Sequence, residues 1–163
     1  MSRAFVKEDG PDNAPLPDLP ISPHPNYVTP RGLAQLQAAL AEAQARLVAL
    51  RARAERLDLL PEAAAARDIR YFEARLKSAL PMLPEGRGCD EVAFGHCVRV
   101  VDEAGAEAAY TIVGEDEADA SAGLIAPQSP LARALMGARL GDVVLWRRPA
   151  GAVELEVLGI GWP

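Results

Sequence analysis

The chain has 163 residues, half of them hydrophobic and a quarter charged, with only 5% aromatic. That is enough for one ordinary domain or two small ones with a core. Its 17 basic residues are outnumbered by 23 acidic ones, which excludes a general nucleic-acid coat, and no apolar run approaches the roughly 18 residues that span a bilayer. The opening MSRAFVKEDG has no apolar core of a secretory leader. Cys89 and Cys97 are too few for a disulfide framework, so two reduced thiols and a cytoplasmic protein are expected, with no membrane partner.

Charge is unevenly spread. Residues 1–30 carry 2 basic and 4 acidic side chains, residues 31–83 carry 9 and 6, and residues 84–163 carry 6 and 13. The net values of −2, +3 and −7 join a basic segment to an acidic one, a division that suggests two surfaces with different partners.

Seven prolines fall within residues 1–30, with no periodic apolar face. The expectation for residues 1–28 is a disordered, proline-rich tail that is dispensable for folding. Thr29 then serves as N-cap and Pro30 as the first residue of a helix. Leu33, Leu36, Leu40, Ala43, Leu47, Leu50, Ala54 and Leu57 follow at alternating steps of three and four, the a/d seam of a heptad repeat. A helix over 31–57 would be about 40 Å long at roughly 1.5 Å per residue. Beyond ERLDLLPEAAAARD the rhythm resumes at Ala65, Ile69, Phe72, Leu76, Ala79 and Leu83, and Pro81 and Pro84 close this second helix. Two seams joined by about five residues predict an antiparallel coiled-coil hairpin over 29–83. Pro61 falls early in the second helix and Glu62 in its first turn, where a carboxylate also suits the helix dipole.

The remaining residues, 84–163, read as a small α+β domain. FGHCVRVVD, AAYTIVG, GLIAP, DVVLWRRP and AVELEVLGIG are strands, with Gly105 and Gly151 in the hairpin turns. Val153, Leu155 and Val157 alternate with Glu154 and Glu156, the pattern of a half-buried antiparallel strand. SPLARALMG is one helix, with Ser129 as N-cap, Pro130 at its first position, Gly137 at its end, and Leu131, Leu135 and Met136 facing inward.

Catalytic patterns are sparse. His96 and Cys97 are adjacent and so point to opposite faces of a strand, and no CxxC or HExxH completes a zinc site. Ser129 is explained by capping, and no histidine pattern makes it a nucleophile. The acidic run Glu115–Asp119 reads as a solvated loop, and no glycine-rich loop cradles phosphate.

A basic two-helix coiled coil followed by an acidic sheet domain resembles the bacterial GreA/GreB transcript-cleavage factors. TPRGLAQLQAAL is similar to that family's opening T-x-x-G-x-x-x-L, and FEARLKSAL to its second-helix signature. FGHCVRVVD, YTIVGEDEAD, SPLARALMGARLGDVV and PAGAVELEVLGI resemble successive blocks of its C-terminal domain. The resemblance covers about residues 28–160 and implies an FKBP-like C-terminal domain. It further implies a monomeric elongation factor, not itself an enzyme, that docks at the secondary channel of RNA polymerase and stimulates hydrolysis by the polymerase.

On that resemblance, Ser129, Pro130, Asp116, Glu117 and Asp119 are the docking residues. Arg46, Arg51, Arg53, Arg56, Arg67 and Arg70 would face the nascent RNA 3′ end, since arginine pairs well with phosphate, although ordinary solubilising charge is the alternative. Asp58 and Glu62, or Glu55 in another registration, would be the tip acids. The chain would hold no cofactor of its own, and these acids would share a Mg²⁺ held in the polymerase active site. DLLPEAAAA departs from the family's D-L-x-E-N-A-E-Y, and the hairpin is about one turn shorter per helix. Both departures make docking better supported than cleavage. The alternatives are a channel-binding regulator without cleavage activity, of the anti-cleavage or nucleoside diphosphate kinase regulator type, and, more remotely, an FKBP-type prolyl isomerase. That enzyme would need an aromatic pocket, for which Phe94, Tyr110, Trp146 and Trp162 are available.

Overall fold

A computed structural model of the chain describes residues 15–55, 58–83 and 88–163. They form a mixed α+β structure in two compact units. One comprises residues up to Pro23 together with Leu36–Lys77; the other comprises His24–Gln35 and Ser78–Pro163. The first turns of the first helix, up to Gln35, cluster with the sheet.

Helix α1 spans Pro30–Arg51 and helix α2 spans Leu60–Ser78. The predicted cap is present: the Gly32 amide donates to Thr29 Oγ1 at 2.9 Å. Along α1 the seam is legible in exposure. Leu36 and Ala43 are buried, and Leu33, Leu40, Leu47 and Leu50 are half-buried. Arg46 bonds Asp68 at 2.7 Å and Arg51 approaches Glu62 at 4.0 Å, so the two helices run antiparallel. The first helix ends at Arg51 rather than 57, because in this register Ala54 would face residues that precede α2. Ala54 is exposed and lies beyond the end of the helix, where the seam is no longer covered among the described residues. Leu57 lies outside the described residues.

The tail is not free along its whole length. Leu16 and Leu19 are half-buried, and Arg70 of α2 binds the Asp18 carboxylate and the Leu16 carbonyl, the latter at 2.8 Å. An extended proline-rich backbone makes few hydrogen bonds to itself, so its carbonyls are available to an arginine. At the end of this stretch Asn26 and Val28 are buried, and strand β1, Tyr27–Val28, pairs in parallel with β2, Leu80–Pro81. Leu80 and Met82 donate the ladder bonds, so Pro81, which has no amide hydrogen, falls where no donor is needed. Residues 1–14 lie outside the described residues.

The sheet of the C-terminal unit consists of β3 (Cys97–Asp102), β4 (Glu107–Ile112), β5 (Leu124–Ile125), β6 (Val143–Arg148) and β7 (Gly151–Gly161) in the order β5-β4-β3-β7-β6. Its pairs are antiparallel except for β4 with β5. Gly105 turns the β3–β4 hairpin at φ 81°, a conformation that glycine adopts without strain. Leu155 and Val157 face the core while Glu154 and Glu156 are exposed, as the alternation predicts. Helix α3, Pro130–Leu135, contributes Leu131, Ala132 and Leu135 to that core with Phe94, Val98, Val100 and Ile112. Met136 is exposed instead of inward. It caps the helix, the chain turns at Gly137, and Ala138 takes the buried position.

Candidate functional site

Serine, proline and the short helix they start are built as the sequence predicts. The Ala132 amide donates to Ser129 Oγ at 3.2 Å, Pro130 occupies the first turn, and Leu131 and Leu135 anchor the helix beneath. Pro130 and Arg133 are left exposed. The cap makes Ser129 a local structural residue whatever else it does, and Pro130 is the projecting group.

The three acidic docking candidates do not share one surface. Asp116 is exposed. Asp119 accepts from the Ser121 hydroxyl at 2.6 Å and from its amide at 3.0 Å, and this pair of bonds, the hydroxyl's first, holds its carboxyl below the usual carboxylate range. Glu117 turns inward: its side chain is 4% exposed, it accepts the Thr29 hydroxyl proton, and Arg31 Nε is 3.6 Å away. Glu117 is thus turned away from the protein surface, because a carboxylate so buried is held by partners inside the fold.

At the turn between α1 and α2, the tip acids diverge. Asp58 accepts the Leu60 amide at 2.9 Å and so starts α2, while Glu55 is exposed. Glu62 has a side chain only 9% exposed and lies by Arg51. The pair expected at the end of the hairpin is therefore one exposed capping acid and one buried acid. Their sequence spacing could not reveal this, since it depends on which α1 residue faces Glu62.

The arginines are engaged too. Arg46 and Arg67 both bind Asp68, at 2.7 and 3.1 Å. Arg51 faces Glu62, Arg70 holds the tail, and Arg53 Nε donates to the Leu50 carbonyl at 3.1 Å. Arg56 lies outside the described residues. Sequence reasoning missed Arg75, which is fully buried in α2 beside the seam residues Phe72 and Leu76. A lone arginine next to a seam reads as a solvated face, so no signal marked it.

A groove of about 420 Å³ opens in the C-terminal unit, lined by Thr29, Arg31, Met82, Thr111, Val113, Glu117, Leu124 and Trp162 among others. Of the four aromatics available for an isomerase pocket, Trp162 alone lines it. Phe94 packs on Tyr27 at 5.8 Å, and Tyr110 pairs with Trp146 at 6.3 Å. Among the described residues, no three His, Cys, Asp or Glu side chains group as a metal site, and no helix is long and apolar enough to cross a membrane.

The C-terminal unit is thus a small, mostly antiparallel sheet with one short helix whose first residue, Pro130, is exposed. Residues 87–161 match the family described as "Transcription elongation factor, GreA/GreB, C-term". Transcription elongation factor GreA of Thermoanaerobacter pseudethanolicus is 42% identical over 93 residues, 56% of this chain and 59% of that one. GreA of Alkalilimnicola ehrlichii is 42% identical over 94 residues, covering 56% and 60%. Over residues 87–161 the chain is similar to the C-terminal domain of the GreA/GreB family. The chain spans about three fifths of the length of these curated relatives. Thermus aquaticus Gfh1 superimposes with a TM-score of 0.41 at 26% identity, covering 83% of this chain and 97% of that one. A GreA/GreB factor from Nitrosomonas europaea gives 0.43 at 22%, covering 84% and 99%.

Proposed function

We propose that the protein is a transcription elongation factor that binds RNA polymerase at its secondary channel, with an FKBP-like C-terminal domain as the docking module and an antiparallel coiled-coil hairpin as its probe. The family match over residues 87–161 carries this reading. Pro130, with Asp116 and Asp119, is the docking surface, and Ser129 sets the helix start that presents the proline. The protein acts on the polymerase and is not itself the catalyst.

The tip favours a regulator without cleavage activity over a cleavage factor. A shared Mg²⁺ needs carboxylate oxygens that can leave their own chain. Glu62 is buried, with Arg51 4.0 Å away, which leaves Asp58 and Glu55 as the exposed acids. The arginines proposed to face the nascent RNA would have to exchange Asp68, Glu62 or Asp18 for phosphate. Backtracked elongation complexes with a labelled RNA 3′ end test the choice. This reading expects slowed or altered elongation without faster release of 3′ fragments. Strong stimulation of fragment release, abolished by Asp58→Ala, would establish the cleavage reading instead.

A further inference from the structure

The Thr29–Gly32 pair that opens α1 and the buried Glu117 form a single device. Glu117 ends the 3-10 turn Glu115–Glu117, which follows β4. Its Oε2 receives the Thr29 hydroxyl, and the same Thr29 oxygen accepts the Gly32 amide at 2.9 Å. A Cβ added at Gly32 would lie 2.6 Å from Oε2, so a side chain there would displace the carboxylate. Arg31 stands 3.6 Å from the other oxygen. One turn earlier in each segment, a Cβ at Gly114 would lie 2.6 Å from the Tyr27 carbonyl oxygen. Residues 114–117 therefore lie close against residues 27–32, all within the C-terminal unit. A carboxylate at this end of a 22-residue helix also meets the positive end of its dipole.

We propose that Glu117 is a positioning residue: it clamps the root of α1 to the sheet domain, and Gly32 exists to admit it. Because α1 runs unbroken from that root to Arg51, the clamp couples a docked C-terminal domain to the hairpin. This coupling rests on the polymerase-binding reading; the clamp itself does not.

Four full-length proteins test it: Glu117→Ala, Gly32→Ala, the double variant and wild type. In hydrogen exchange, Glu117→Ala and Gly32→Ala should each raise exchange of the amides of residues 32–34 by about tenfold, with the sheet strands unchanged. Gly32→Ala should lower Tm in the wild type, where it expels the carboxylate. In the Glu117→Ala background it should raise Tm, because alanine is the better helix former once the space is vacant. Unchanged exchange, or the same sign of Tm change in both backgrounds, would overturn the clamp. With polymerase, Glu117→Ala should bind core enzyme within about twofold of wild type yet lose most of its effect on elongation. Equal effect at equal binding would overturn the coupling. A wild type that does not bind polymerase would overturn the functional reading, while the exchange and Tm measurements still decide the clamp.

Discussion

Glu62→Gln is the substitution that separates a structural tip from a functional one. The Glu62 side chain is 9% exposed and 4.0 Å from Arg51, whose own side chain is 61% exposed. At that distance two unit charges attract by about 1 kcal/mol in water and about 4 at an effective dielectric of 20. The exposure of Arg51 places the pair near the lower figure, in line with the roughly 0.2–1 kcal/mol of exposed pairs. Glu62 also sits in the first turn of α2, where a negative charge adds about 0.3–1 kcal/mol. Removing the charge while keeping the shape should cost about 1 kcal/mol, a fall of about fivefold in amide protection over the first turns of α2. Hydrogen exchange with mass spectrometry is the assay, since it reads α2 without assuming that both units unfold together. Glu55→Gln is the control, and at an exposed position it should change protection by less than about 0.5 kcal/mol. Equal or greater protection in Glu62→Gln would show that the charge does not stabilise α2 and would refute the structural assignment.

Leu135 is fully buried at the centre of the C-terminal core, and Leu135→Ala should destabilise that unit by about 2–5 kcal/mol in urea titration followed by tryptophan fluorescence; a loss under about 1 kcal/mol would contradict the packing. Asp119 titrates below the usual carboxylate value because Ser121 donates to its charged form. Its stabilising contribution is present above the ordinary carboxylate pKa and is lost as pH falls through the lowered one. Ser121→Ala should move the carboxyl titration, followed by NMR, upwards; an unmoved midpoint would refute the cause. Removing residues 1–22 should speed exchange around Arg70, whose partners Leu16 and Asp18 are then lost; unchanged exchange would return that stretch to a dispensable tail.

Periodicity made the helices and the C-terminal strands legible, because each buries one stripe or one face. Leu36 and Ala43 are buried where the heptad puts them, and Leu155 and Val157 where the alternation does. Local cap chemistry is equally readable: Thr29 and Ser129 both accept the amide three residues on. What the sequence did not disclose depends on a partner distant along the chain. Glu117 reads as one acid in a solvated run and is instead a buried acceptor for a hydroxyl 88 residues earlier. The heptad pattern does not reveal the end of α1, because a seam remains helical only where the opposite helix covers it. Arg70 reads as a free cation until the tail is seen to lie against it.

Polymerase binding through the start of α3 is tested most closely by a direct titration. Labelled full-length protein is titrated with bacterial core RNA polymerase, alongside Pro130→Arg. Pro130 is exposed while Ser129 holds the cap, so the variant should keep its fold by circular dichroism and bind at least about tenfold more weakly, a loss of roughly 1.4 kcal/mol. Saturable wild-type binding that the variant loses is the predicted result. No binding by the folded wild type, or equal binding by both proteins, would contradict it.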